Sequence, residues 1–280
     1  MKKVSLLSIM ALICCLYSCN FKSDHSNDTT IDSVVVEKIA IQEAYHLLGD
    51  TAMPGCKVSL EMKVPIQYGQ DSNYLHLQKI LTPLIFGEEY AGDTLIQAAQ
   101  KVVTAHINAY KEVEPEFEKE IKEYGKSYSF EWEYNYTIAP IYNRNEFFCY
   151  GVASSEYTGG AHGMYSNFYY TIDLSDWHRI VLDDLFQPQS LDEINHTILK
   201  QLLKNLDLTE PDSLLELGYF DTEDITATEN FYLTDTGICW VYNPYEIACY
   251  ATGQVFIEVP FQALESYFLP ENPIRRLLKK

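Results

Sequence analysis

The residues whose types and spacing could do chemistry gather in Tyr157-Thr158-Gly159-Gly160-Ala161-His162-Gly163. Glycine at that density marks a backbone that needs positive φ or that another group approaches closely. His162 among those glycines reads in two ways. It is a ligand-contacting or metal-binding imidazole, or it is a ring that locks its own loop by hydrogen bonds to backbone. The second is favoured, because metal binding would need Asp173, His178 or Asp183 brought close to it. Pro244-Tyr245-Glu246 reads as a turn. There Glu246 either faces a groove and takes a cation or a basic partner, or ties the turn down through backbone N–H groups. Nucleophilic chemistry is poorly supported. Ser154-Ser155 lacks a G-x-S-x-G context, and Cys149 sits in an apolar run where a thiol is more often buried than reactive. The candidate ligand-contacting residues are therefore Tyr157, Gly159, Gly160, His162, Tyr245 and Glu246. No catalytic residue, metal ligand or cofactor is assigned.

These residues need elements to hold them. Val34-Val35-Val36 opens a strand that continues to Leu48. Residues 56–68 alternate strictly, with Val58, Leu60, Met62, Val64 and Ile66 on one side and Lys57, Ser59, Glu61 and Lys63 on the other, which is a half-buried strand. Pro65 places its end or a sheet edge there. A helix follows from a Ser72 cap to Gly87. A longer one over 93–124 carries the stripe Ala98, Val102, Ala105, Ile107 and Tyr110, with a break or kink expected at Pro115. Its charged stretch 112–123 reads as a solvated face. Tyr128, Phe130, Trp132, Tyr134 and Tyr136 alternate with polar residues, so a strand is read from 128 onward, as the core side of an antiparallel sheet in preference to a groove lining. Strands at 147–155 and 164–174 flank the glycine loop, which makes the loop a tight strand connection. A turn at 173–176 and a short strand at 179–182 follow. Ser190 with Glu193 forms a capping box for a helix to Leu206. A short helix spans 211–217. Strands at 230–233 and 237–242 make a hairpin, 253–259 is the final strand, and Pro260 starts a last helical turn. The order of elements predicts an α+β fold, mainly antiparallel sheets with packed helices, in two consecutive sub-domains.

The first residues carry an address. Lys2 and Lys3 precede a 14-residue, mostly apolar run over 4–17, too short to span a bilayer comfortably. Leu16-Tyr17-Ser18-Cys19 resembles a bacterial lipobox, which makes 1–18 a signal peptide, Cys19 the lipidated residue, and 19–32 a polar tether. The folded part then divides into 33–145 and 146–270. The expected location is the cell envelope, anchored by lipid and facing the periplasm or the exterior. The 280 residues carry 40 Asp and Glu against 20 Lys and Arg, a net charge of −20, which argues against nucleic acid and favours basic partners or cations. Cys56, Cys149, Cys239 and Cys249 remain after processing, and an oxidising compartment permits three pairings among them or buried free thiols.

Three segments carry a family resemblance: Tyr157 to Gly163; Ile172-Asp173-Leu174 with Ile180 to Phe186; and Asn243 to Ala248 with Tyr250, Ala251 and Gly253. Together they resemble the extracytoplasmic domain of RsiV-type lysozyme-sensing anti-sigma factors. That module also stands ahead of some peptidoglycan deacetylases and in many bacterial lipoproteins. Residues 56–142 are similar to the companion domain that usually precedes it. In that context Asp183-Asp184 opens the Leu-Phe element and is not a catalytic pair. The resemblance implies recognition of a basic protein such as lysozyme or of a cell-wall glycan. Sigma binding does not carry over, because only three residues precede the apolar run. The reading is a non-catalytic envelope lipoprotein. The alternative is a hydrolase or deacetylase-like enzyme using the His162 loop.

Overall fold

Alternation in the strand Gly55–Gln67 sets the plan of the molecule. Val58, Leu60, Met62 and Val64 are buried while Lys57 and Lys63 are exposed, so one face of the strand must be covered. In the computed structural model, which describes residues 33–69 and 73–278, two helices cover it. The signal peptide, Cys19, the tether and the Ser72 cap lie outside the described residues.

The elements follow in chain order. β1 (Val35–His46) and β2 (Gly55–Gln67) form a hairpin. α1 (Asn73–Phe86) and α2 (Leu95–Tyr124) then carry the chain to β3 (Trp132–Arg144), which pairs parallel with β2. Parallel neighbours require such a crossover. β4 (Phe147–Tyr157), β5 (Met164–Asp173) and β6 (His178–Arg179) complete an antiparallel meander, giving one six-stranded sheet in the order β1 to β6. The second half holds α3 (Leu182–Leu185), α4 (Leu191–Asn205), α5 (Ser213–Glu216) and the antiparallel sheet β7 (Phe231–Leu233), β8 (Gly237–Tyr242), β9 (Val255–Pro260). α6 (Phe261–Leu264) and α7 (Arg275–Leu278) end the described chain. The fold is α+β, in two consecutive sub-domains. The expected division between 145 and 146 falls on the β3–β4 hairpin, inside the continuous sheet.

The large sheet has a core on each face. Tyr134 and Ile138 of β3, with Phe148, Tyr150 and Val152 of β4, pack with the stripe Ala99, Val103, Ile107 and Tyr110 of α2. Phe147 and Cys149 face the other way and join the core built on Trp240, Ile257, Ile198 and Phe186. A register shift between Pro140 and Tyr142 lets Tyr142 join that second core.

Several expectations are corrected here. α2 runs through Pro115 as one helix of 30 residues. Pro115 and Lys111, whose carbonyl loses its partner, are both exposed, so water can satisfy that group. The stripe of α2 also differs, since Ala105 is exposed and Val103 takes the buried place. Ile66 is exposed, because the β1–β2 pairing slips at Val36 and Pro65, beyond the last β3 partner Met62. Tyr128 and Phe130 precede the strand in a single turn, where the Tyr110 hydroxyl donates to the Phe130 carbonyl at 2.7 Å. Ser190 makes no capping bond, because the preceding turn Pro188–Ser190 leaves it at φ −100°, ψ 3°, outside the extended geometry a cap needs. Cys56, Cys149, Cys239 and Cys249 are all free thiols. Burial pushes the first three up to about 11, 12 and 11, the form of inert core thiols.

Candidate functional site

The glycine loop joins β4 to β5 as a tight connection. The ladder closes at Glu156 and Met164, and Gly159 and Gly160 take φ of +96° and +92°. A Cβ on Gly159 would stand 2.7 Å from the Ser129 carbonyl oxygen, and one on Gly163 would stand 2.5 Å from the Glu156 carbonyl oxygen. These two glycines are demanded by close approach of backbone. The Tyr157 hydroxyl donates to the Gly160 carbonyl at 3.0 Å and closes the loop from inside.

His162 is exposed and has two attachments. Its Nδ1 lies 2.9 Å from the Gly163 carbonyl oxygen, which can only accept, so Nδ1 carries the proton. Its ring stacks on Tyr250 with centroids 4.1 Å apart and planes 22° from parallel. The Tyr250 hydroxyl in turn donates to the same Gly163 carbonyl at 2.8 Å. The imidazole therefore does lock its loop, and it also holds the loop against the second sub-domain. Tyr165 meets Tyr250 edge-on at 5.6 Å and Tyr245 lies 5.8 Å from it. Tyr250 thus gathers the glycine loop and the Pro244 turn around one ring.

Glu246 spends its carboxylate on its own turn. Oε2 accepts the Asn243 N–H at 2.8 Å and Oε1 lies 3.5 Å from the Asn243 side-chain nitrogen. Tyr245 takes φ +70° in that turn and stays half exposed. Asn243 itself is buried and works elsewhere. Its Oδ1 accepts the Asn167 N–H at 2.7 Å, and its Nδ2 donates to the Asn167 carbonyl at 3.2 Å. Asn230 repeats the motif, accepting from Tyr169 N at 3.0 Å and donating to the Asn167 carbonyl at 2.9 Å. Two side-chain amides thereby stand in for a neighbouring strand along the outer edge of β5 and clasp the two sheets together.

Two of the three residues that metal binding at His162 would require, Asp173 and His178, are occupied elsewhere. Asp173 is buried and receives both guanidinium nitrogens of Arg276, at 2.9 and 2.7 Å. His178 Nε2 lies 2.8 Å from Asp184 Oδ2, which also accepts the Val181 N–H at 2.9 Å. Asp184 is thereby the cap of α3. Among the described residues no group of three or more His, Cys, Asp or Glu side chains is arranged to hold a metal ion.

Beside the His162–Tyr250 stack lies a cleft of about 230 Å³, lined by Glu133, Asn135, Ser155, Tyr157, Tyr165 and Tyr250 among others. Strand alternation puts the first five on one face of the sheet, with Tyr250 as the wall from the second sub-domain. A second cleft of about 300 Å³ is lined by Tyr136, Ser154, Glu156, Met164 and Ser166, which alternation places on the opposite face. His106 of α2 stands next to this second cleft. It stacks on Tyr134 at 3.8 Å, and its Nε2 lies 2.8 Å from the Tyr136 hydroxyl. Burial holds its pKa below the usual 6.5. The sequence reading missed Tyr250, Glu133, Glu156 and His106. Tyr250 stood inside the third segment and could have been weighed, but the others become visible only once β3, β4 and α2 are placed together.

With this geometry in view, the comparisons with known proteins divide the chain in two. Residues 58–165 match the family model described as Deacetylase PdaC, and residues 183–262 match that described as a protein of unknown function, DUF3298. The glycine loop lies in the first match and Tyr250 in the second, so the stack joins the two. A DUF3298-family member from Bacteroides fragilis NCTC 9343, solved by crystallography, is 29% identical, with a TM-score of 0.80 over 89% of this chain and 99% of that one. A DUF3298-family protein from Pseudomonas aeruginosa PAO1 shares the fold at 15% identity, with a TM-score of 0.59 over 86% of this chain and 97% of that one. A search of curated proteins gives no match. No described helix is long and apolar enough to cross a membrane.

Proposed function

We propose that this chain is an extracytoplasmic recognition protein, lipid-anchored through Cys19, that binds peptidoglycan fragments without transforming them. The observation that carries this reading is the cleft beside Tyr250. It offers tyrosine rings for the apolar faces of sugars, with Glu133, Asn135 and Ser155 for their hydroxyls. The similarity of 58–165 to a family described as a deacetylase agrees with a cell-wall setting. An enzyme built on His162 is the weaker reading. The ring is committed to the Gly163 carbonyl and to Tyr250, and Glu133 and Glu156 sit in clefts whose linings do not include it.

The net charge of −20 favours a second reading, recognition of a basic lysozyme-like protein as in RsiV-type sensors, with attraction that weakens as salt rises. One calorimetric titration separates the two. Muropeptide fragments should bind the full chain, and Tyr250→Ala should weaken that binding about tenfold or more, the scale of losing a buried aromatic anchor. Saturable binding of a c-type lysozyme that Tyr250→Ala leaves intact, with no heat from any fragment, would transfer the function to the acidic exterior.

A further inference from the structure

The two clefts are alike in composition although they lie on opposite faces of the sheet. Each holds glutamate with tyrosine and serine beside it: Glu133 lines the first cleft alone, and Glu156, on the opposite face of the sheet, lines the second and borders the first. Neither lining contains a lysine or arginine. Asn135 Nδ2 lies 3.1 Å from Glu133 Oε1, a neutral partner that leaves the carboxylate's charge uncompensated. Both glutamates are exposed.

The clefts also adjoin. Their linings share Ser155, Glu156, Met164 and Tyr165. The contact point is the start of β5, where the strand is a sheet edge. β6 reaches only Ile172 and Asp173, and the asparagine clasp begins at Asn167. A ligand can therefore pass from one face to the other over Met164 and Tyr165. Each cleft alone is at or below the lower end of the range for a small-molecule site, while the pair is well inside it.

From this arrangement we infer that the ligand is a linear oligosaccharide whose sugars carry free ammonium groups, laid over the start of β5 with Glu133 receiving one ammonium and Glu156 another. Tyrosine rings take the sugar faces, and the carboxylates select against acetylated and anionic chains. This rests on the glycan reading above and narrows it by charge. A carboxylate-bearing chain would meet two glutamates and no cation. An N-acetylated chain would fill the same space without charge pairing.

The test is calorimetry on the full chain with three probes at low and high salt: a β-1,4-linked glucosamine tetramer, the matching N-acetylglucosamine tetramer, and a galacturonate tetramer. The glucosamine tetramer should bind about tenfold tighter than its N-acetylated form at low salt, the scale of hydrogen bonds to charged groups. The advantage should shrink at high salt, and the galacturonate tetramer should not bind. Glu133→Gln and Glu156→Gln should each lose about threefold of the preference, and together all of it, within the range for exposed ion pairs. Glu120→Gln, on the solvated part of α2, controls for the general negative charge and should change nothing. Equal affinity for both glucosamine forms overturns the charge assignment and leaves glycan recognition standing. An equal effect of Glu120→Gln, or binding of the galacturonate tetramer, overturns the assignment as well. Absence of binding by all three removes both readings.

Discussion

At the scale of single residues, two ionisable groups are held in unusual states and each has a pH signature. Asp173 is buried, which raises its pKa, but the hydrogen bonds from Arg276 and Ser175 and the Arg276 charge outweigh this, so the carboxyl sits below the usual 3.8. Arg276 also donates to the Asn145 and Glu146 carbonyls and covers the Phe147 ring at 3.7 Å. Because the folded pKa is depressed, the contribution is complete above 3.8 and is lost as pH falls below it. Arg276→Ala should cost about 3 kcal/mol at neutral pH in urea unfolding, since it strands a buried carboxylate. That penalty should shrink in acid. His106 behaves oppositely in sign of charge. Its folded pKa is lowered by burial, so the unfolded ring takes up its proton first as pH falls. Its share of stability is complete above 6.5 and lost below it. His106→Phe keeps the stack on Tyr134 and removes the titration, so its stability should depend less on pH between about 7 and 5 than that of the parent chain.

At the scale of elements, the β4–β5 connection is the most restrictive segment. Gly159→Ala combines a disfavoured φ with a clash against the Ser129 carbonyl and should destabilise by about 2 kcal/mol or more. Gly160→Ala has the same sign of φ but open space, and should cost about 1 kcal/mol. A smaller loss at 159 than at 160 in thermal unfolding would mean that the loop is not fixed against Ser129. Elements were also the scale at which the sequence was most legible. The alternation of 58–64 and the aromatic runs of β4 and β5 announce their strands, because burial on one face imposes a period of two. Pro115 misled, since an exposed proline late in a long helix leaves only a carbonyl that water can serve. Ser190 and Glu193 misled as well, because the capping motif needs an extended entry that the preceding turn denies.

At the scale of the whole molecule, the two sub-domains are joined by side chains that no local pattern announces. Asn230 and Asn243 are common polar residues in the sequence, and only the fold shows that their side chains replace a missing strand beside Asn167. Asp235 reaches Arg144 from the β7–β8 turn across the same junction. Non-local hydrogen bonds of this kind carry no periodicity, so the candidate site was only half legible. Its loop and turn could be named, but not the Tyr250 ring between them or the glutamates beside them. Asn230→Ala should leave the Asn167 carbonyl and the Tyr169 N–H without these partners and destabilise by about 2 kcal/mol. Amide exchange at Tyr169 should accelerate, while exchange in β2, on the far side of the sheet, stays as it was.

The parallel pairing of β2 with β3 has a kinetic consequence. Its first partners, Cys56 and Trp132, meet only after the chain has travelled through both long helices, whereas β3, β4 and β5 are sequential hairpins. Hairpins close on a microsecond scale and distant pairings wait for a costlier loop. Glu133, Asn135, Ser155, Glu156 and Tyr165 all belong to the sequential meander. The floor of the candidate site therefore assembles early, and the slow joining of β2 to β3 and the docking of Tyr250 raise its walls afterwards.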